Sequence, residues 1–330
     1  MQDNMISMYQ KAHRDPVKHE QEFKKPEKDW FTIIWILSIH IIATFAFWNF
    51  SWGGFFWFLG LYFATGCLGI TFCFHRLLSH RSFKAHPVVE GFTALMGTLA
   101  LQGTVQEWVC HHRIHHQGSD TPRDPHNARR GFWYSHWGWL FIQHEAIRNR
   151  QKMDKSTRDI LANPWLRFLS RNEVMIACQV ILGLALLFAG GASWVLWGIF
   201  LRLVAVYHTT WLVNSATHKW GYRNFASNDL AVNTWWVAVL TWGEGWHNNH
   251  HRFANVCPAR YRWWEVDVTY GIVCVLERFG LVSDVRRYPQ EAHEEFRRLK
   301  AIKESSNAEQ QNHHGEPHIP SQEPLYKPTN

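Results

Sequence analysis

Nitrogen donors crowd one short stretch of this chain, His111-His112-Arg113-Ile114-His115-His116. A packed apolar core has no use for so many ionisable groups together. On a helix His112, His115 and His116 fall within an arc of about 100°, so three imidazoles point the same way. The same i, i+3, i+4 spacing recurs at His247-Asn248-Asn249-His250-His251, and a third cluster is His75-Arg76-Leu77-Leu78-Ser79-His80. Imidazole suits Fe, Zn, Cu or Ni, so the chemistry these clusters point to is metal binding. One H-x-x-H-H is a modest signal. Two of them plus an H-x4-H in one chain leave little room for coincidence.

The clusters contain His75, His80, His112, His115, His116, His247, His250 and His251, and His218 makes nine. A transition metal takes at most about six ligands, so nine converging histidines imply at least two metals. Neutral imidazoles leave the charge on the metals high, which suits a centre that activates O2 and attacks a strong C–H bond. Asn214 and His218 are i, i+4 and share a helix face. Glu107, Asp120, Asp124 and Glu244 lie close in sequence to the clusters. Each either orients a ligand by accepting its other ring N–H or is a solvated surface acid. His111 is expected to be exposed rather than ligating, and His313 and His314 to belong to the tail. His40 and His208 are expected to hydrogen-bond between helices, and mid-span Arg202 to form a structural pair.

The elements that must position these groups read as membrane spans. Residues 1–29 mix Lys, Arg, Glu and Asp with no apolar face and form a polar arm without a signal peptide. Uncharged apolar runs follow from Trp30 to Phe50 and from Trp52 to Phe74, each long enough to cross roughly 30 Å of bilayer. The second run ends at His75. His80 lies about 140° round an ideal helix from His75, so the helix must end or bend there. Residues 88–105 are apolar but carry Glu90 and three glycines, and read as a helix in the interface or buried under the polar region. Residues 107–172 are polar and aromatic. A second hairpin runs from Val174 to Ala189, turns at Gly190-Gly191 and returns from Ala192 to Val213. Both hairpin turns lack Lys and Arg while the long loops and tails are rich in them. By the positive-inside rule both termini and all histidine clusters face the cytoplasm. Residues 235–241 are too short to span, and residues 291–330 are expected to be disordered.

Composition agrees with this picture. The 20 Trp and 22 Phe are a heavy aromatic load, familiar in membrane proteins with interfacial belts. The net charge of +7 is the basic excess of a cytoplasmic face, or a surface for an acidic partner. No nucleic-acid module is discernible. Six cysteines without C-x-x-C pairs read as ordinary reduced residues.

At these residues the chain resembles the membrane fatty-acyl desaturases of the Δ9, stearoyl type. The matching strings are HRLLSH (75–80), HRIHH (112–116), SDTPRDPHNARRGFWYSHWGWL (119–140), NSATHKWGYR (214–223) and GEGWHNNHH (243–251). The resemblance runs from about residue 35 to 290. It implies an all-α integral membrane fold, four transmembrane helices as two hairpins under a helical cytosolic cap, with residues 30–290 as the desaturase domain. It implies two non-haem irons held by the nine histidines, with Asn214 linked through a water. The reaction it implies is O2-dependent removal of two hydrogens from a saturated acyl chain, leaving a cis double bond. Electrons come from outside. Neither tail carries an HPGG-type cytochrome b5 segment, so the donor is expected to be a separate acidic protein, ferredoxin or cytochrome b5.

Acyl-CoA members carry Arg-Asp before HRxHH and a basic pair after the GW-L string. Here those places are Cys110-His111 and Gln143-His144. This departure resembles cyanobacterial acyl-lipid desaturases more than acyl-CoA enzymes. Phe63, Cys67 and Thr71 lie at i−12, i−8 and i−4 from His75. They either close a substrate tunnel or pack between helices. Eight residues of helix descend about 12 Å, near the reach of the half-chain beyond a mid-chain double bond. Two rivals remain. A di-iron fatty-acid or alkane hydroxylase uses similar histidine boxes. A metal transporter keeps its ligands near the membrane midplane, whereas here they gather at the ends of the spans.

Overall fold

The computed structural model describes residues 27–143 and 149–314, with side chains to residue 306. Most of the expected polar arm, His144, His313 and His314 as side chains, and the end of the tail lie outside it. The chain divides into two units, one ending at Tyr288 and one beginning at Pro289.

In the first unit, helix α1 (Trp30–Thr44) starts at Asp29, whose carboxylate accepts the Thr32 N–H at 3.0 Å. At 15 residues it measures about 22 Å, less than the bilayer core of roughly 30 Å. The apolar run expected to continue to Phe50 instead breaks into tight turns, with Ala46 N–H donating to Ala43 O and Phe47 N–H to Thr44 O. Helix α2 (Trp52–Ser79) starts at Ser51, whose hydroxyl accepts the Gly54 N–H at 3.1 Å. Its second part, Phe63–Ser79, winds in wide turns with i→i+5 bonds. The last of these runs from His80 N–H to His75 O at 3.1 Å. Such winding is rare and concentrates at functional sites. It brings residues five apart nearly into line, so the His75 and His80 rings meet at 4.7 Å without the bend an α-helix would need.

Helix α3 (Pro87–Leu99) lies along the wide part of α2. The two approach through glycines: a Cβ on Gly69 would fall 2.4 Å from Gly97 N, and one on Gly97 2.4 Å from the Phe74 ring. Helix α4 (Val105–Gln117) opens with a capping box of Thr104 and Glu107. The short α5 (Phe132–His136) follows, then three small helices.

The run Asn172–His218, here α6, is broken at Gly191, where φ 71° and ψ −163° are open essentially to glycine alone. Past this point the chain doubles back, since a Cβ on Gly198 would meet Leu186 Cδ1 at 2.8 Å. The two reversals touch each other. Ser51 Oγ and Ser193 Oγ are 2.7 Å apart, and Trp197 Nε1 donates to Ala46 O at 3.0 Å. Ile36, Ile39, Leu61, Leu186, Ile199 and Leu203 fill the space between the arms. Arg202 lies fully buried beside them. The expected pairing takes the form of hydrogen bonds to neutral groups: Leu99 O at 2.6 Å, Gly198 O at 3.1 Å and Gln179 Oε1 at 3.4 Å.

Helices α2 and α6 are each long and apolar enough to cross a membrane, and α1 is a shorter apolar helix. Only 11% of the most apolar window of α6 is buried, whereas an all-apolar helix of a water-soluble domain would sit inside its core. Ile176, Val180, Ile181, Leu184 and Phe188 face outward, as do Phe31, Ile34, Leu37 and Ile41 of α1. An apolar surface of that extent fits lipid, not water.

Helices α7 (Trp235–Leu240), α8 (His247–Arg252) and α9 (Val268–Arg278) complete the unit. A two-residue antiparallel ladder, Lys84↔Ser283 and Ala85↔Val282, ties its end back to the segment after α2. In the second unit, α10 (Gln290–His314) occupies part of the segment expected to be disordered. Its Glu, Lys, Arg and Ala are good helix formers, and Lys300 and Glu304 pair at i, i+4 across 3.7 Å.

Candidate metal centre

Four helix ends deliver the histidines. The end of α2 supplies His75 and His80, α4 supplies His112, His115 and His116, the end of α6 supplies His218, and α8 supplies His247, His250 and His251. Their donor atoms gather in two groups, each within 4.8 Å: His75, His80, His112, His116 and His250, then His115, His218, His247 and His251. Within each group Nε2 faces Nε2. The separations are 2.7 Å for His80 and His112, 3.1 Å for His75 and His250, and 3.0 Å for His116 and His250. In the second group they are 3.2 Å for His115 and His251 and 3.1 Å for His218 and His247.

Carboxylates hold the far sides of these rings. Asp124 Oδ2 is 3.0 Å from His115 Nδ1, Asp120 Oδ2 is 3.0 Å from His218 Nδ1, and Asp229 Oδ2 is 2.5 Å from His251 Nδ1. Glu244 Oε2 lies 2.7 Å from His75 Nδ1, off the N–H axis, while its Oε1 accepts from Arg76 at 2.8 and 3.0 Å. Burial alone would raise Asp120, but the His218 imidazole and backbone N–H of Leu230 hold it down at about 2. Burial likewise opposes the ionisation of Glu244, and Arg76 and then His75 outweigh it, leaving about 2. Asp124 and Asp229 are held low in the same way by their histidines. All four are therefore ionised, acceptor-only groups.

That fixes the tautomer. With Nδ1–H donated to a carboxylate, Nε2 carries a lone pair. His115 and His251 then aim two lone pairs at each other across 3.2 Å. Burial, then neighbouring imidazoles, push His80, His112, His116, His247 and His250 well below the usual imidazole range, so these five rings meet as neutral groups. Burial also lowers His251, against the pull of Asp229. Cations between the facing nitrogens remove the conflict, so the donor set fits two metal ions, one in each group.

The remaining residues divide. Glu107 orients no histidine; its Oε2 accepts from the Thr104 N–H at 2.9 Å and hydroxyl at 3.0 Å as the helix cap. Asp229, on the loop before α7, does what was sought in Glu107. It is 22 residues from His251 in sequence, so proximity along the chain gave no sign of it. His126 lies tilted against His115 at 4.2 Å and forms with His115 and Asp124 a third possible donor group. His111 joins neither large group and sits half-buried near Trp139. His40 and His208 do hydrogen-bond between helices, Nε2 to Nε2 at 3.0 Å, and His136 extends the chain from His208 at 3.0 Å.

A narrow cavity of about 50 Å³ reaches from the histidines along α2, lined among others by Gly66, Ile70, Thr71, His75, Asn214 and Trp242. Thr71 is on its wall. Cys67 is fully buried and absent from the lining, its Sγ 3.7 Å from the Thr269 Oγ1 that Thr71 Oγ1 also meets at 2.7 Å, and Phe63 is 39% exposed beyond Trp242. The α-helical stacking that aligned Phe63, Cys67 and Thr71 does not apply to the wider turns of α2, which turn Gly66, Ile70, Thr71 and His75 to the cavity instead.

The sequence matches the family described as "Fatty acid desaturase" over residues 51–267. It is 50% identical over 264 residues to an sn-1 stearoyl-lipid 9-desaturase of Anabaena variabilis, covering 79% of this chain and 95% of that protein. It is 46% identical to an sn-1 stearoyl-lipid 9-desaturase of Synechocystis sp., covering 80% of this chain and 82% of the relative. An icosanoyl-CoA 5-desaturase of Limnanthes douglasii is 41% identical, covering 81% of this chain and 74% of its own length.

If Asp229 sets the ring of His251, Asp229→Ala weakens metal retention about 10–100-fold, as loss of a ligand's hydrogen-bond partner does. Glu107→Gln leaves retention unchanged and costs about 1 kcal/mol of stability as a damaged cap. Metal content after graded chelator dialysis, beside thermal unfolding, separates the two. Equal retention in both variants contradicts the assignment of Asp229.

Proposed function

The chain belongs to the fatty acid desaturase family, and on that premise we propose that it inserts a cis Δ9 double bond into a saturated acyl chain carried on a membrane lipid. As a fatty-acyl desaturase it is an oxidoreductase. The observation that carries the reading is the pair of facing histidine groups at the head of a cavity. One iron would be held by His75, His80, His112, His116 and His250. The other would be held by His115, His218, His247 and His251, with Asn214 through a water. When bound, the two irons supply activation of O2. Overall, O2, two electrons and two protons remove two hydrogens from the chain and leave two waters.

The protein's own residues do the rest. Asp124, Asp120 and Asp229 keep His115, His218 and His251 in the ligating tautomer, Glu244 lies against His75, and Thr71 takes part in the cavity wall. The irons suit neutral nitrogen ligands, which leave their charge high for an unactivated C–H bond. Electrons come from a separate donor such as ferredoxin or cytochrome b5, drawn to a basic face. We take residues 30–290 as the desaturase domain, flanked by a polar arm (1–29) and a tail (291–330). Its membrane part would be four spans in two hairpins under a cytosolic cap, with both termini and the irons on the cytoplasmic side.

The acyl-lipid head group is favoured over CoA by two observations. The stearoyl-lipid relatives are the more similar at 50 and 46%, against 41% for the icosanoyl-CoA enzyme. At the position of the CoA-type Arg-Asp, Cys110 is buried and hydrogen-bonded to Ser156, and offers a phosphate no cation.

Expression in a host without its own desaturase is expected to place a Δ9 double bond in the eighteen-carbon chains of membrane glycerolipids. A hydroxylated product favours the hydroxylase, and unsaturation confined to acyl-CoA overturns the head-group reading. Tags at Met1 and Asn330 are expected to label from the same side of sealed vesicles, and labelling from opposite sides contradicts the topology.

A further inference from the structure

Trp242 stands between the cavity and the outside of the protein. It is half-buried, and one side of it lines the cavity with Thr71 and His75. Its indole also meets Tyr62 at 4.7 Å and Phe63 at 6.2 Å. Beyond it the surface is apolar: Phe63 is 39% exposed, Leu240 41% and Val239 69%. That surface continues the outward face of α2, one of the two helices able to cross a membrane, to which it is tied by Tyr62 Oη donating to Leu240 O at 2.7 Å.

The cavity is small, about 50 Å³. An acyl chain must enter it past one of its walls. Most of the wall is helix: Gly66 to His75 belongs to α2, Thr209 to Asn214 to α6, and Trp108 stacks on His112 at 5.2 Å while its Nε1 donates to Gln102. Trp242 belongs to a loop. Its φ is +54° and that of Gly243 +124°, and a left-handed tryptophan is a strained arrangement of the sort found where loops switch. Across from the indole α2 presents Gly66, where a Cβ would lie 2.5 Å from Trp242 Cζ3. The ring therefore rests on bare backbone at Gly66 and is bordered by Tyr62 and Phe63.

We propose that Trp242 is the door of a lateral portal, through which the acyl chain of a bilayer glycerolipid passes from the leaflet between α2 and α7 into the histidine-lined cavity. The head group stays outside, which is why no cationic pocket is needed for it. This rests on the acyl-lipid reading above.

The test uses the full chain in nanodiscs containing a glycerolipid whose stearoyl chain carries a diazirine near its methyl end. After brief photolysis, labelled residues are mapped by mass spectrometry. Labelling is expected on Ile70 inside the cavity as well as on outer Phe63 and Leu240. In Trp242→Ala the early labelling of Ile70 rises several-fold, because the closed door no longer reduces the open fraction, while labelling of Phe63 stays constant. Trp242→Phe, a smaller disturbance to folding, is expected to lie between. Labelling confined to Phe63 and Leu240, or an Ile70 rate indifferent to both substitutions, overturns the portal. Ile70 labelling that depends on Trp242 without any desaturated lipid supports the portal and overturns the acyl-lipid activity. Desaturated glycerolipid with no dependence of Ile70 labelling on Trp242 does the reverse.

Discussion

Lone pairs that face one another at hydrogen-bond distance are the constraint on which this structure turns. Nine imidazoles bring their ring nitrogens together in two groups, and ionised carboxylates on the far sides of His115 and His251 leave their facing nitrogens without a proton to share. In an apo protein such an arrangement is self-repelling. Cations inside would make it favourable, and would couple metal binding to the folding of this region. The surrounding ion pairs make sense as the frame for that centre. Arg76 joins Glu244 to Asp267, and Arg113 grips Asp159 together with the Leu78 and Ser156 carbonyls. These pairs bind the end of α2 to α4 and to the segment before α8. Removing one partner from a buried pair leaves an uncompensated charge and costs about 3–5 kcal/mol.

The apolar helices set the level at which this centre forms. Their reversals meet at one end, through Ser51, Ser193 and Trp197. The opposite ends of α2 and α6 carry His75 and His218, so both arrive with the histidines of α4 and α8 at the head of the cavity. An acyl chain lying along α2 would reach the metals from the side of the apolar surface, whereas a donor protein would meet the polar segments.

The sequence made the histidines legible because helical spacing is a strong signal, and the Gly190-Gly191 reversal because glycine pairs in an apolar run have few other uses. Asp120, Asp124 and Glu244 were within reach of the same reasoning, since each lies near a cluster along the chain. Asp229 was not, because a carboxylate brought in by a loop leaves no periodic trace. Glu107 misled for the complementary reason: three residues after a threonine, an acid caps its own helix. The largest local departure is the wide winding of α2. Nothing in Phe63–Ser79 announces i→i+5 bonding, and that winding reassigns the cavity wall from Phe63 and Cys67 to Gly66 and Ile70. The role of Trp242 needed both its left-handed backbone and the absent side chain at Gly66.

The most direct test is the metal content of active, purified full-length protein, measured with the turnover number on the same sample. About two iron atoms per chain are expected, because nine ligands exceed one coordination sphere of at most about six. Activity should disappear as iron is removed by a chelator and return with ferrous iron. A fully active preparation holding one metal per chain, or none, would contradict the two-metal centre.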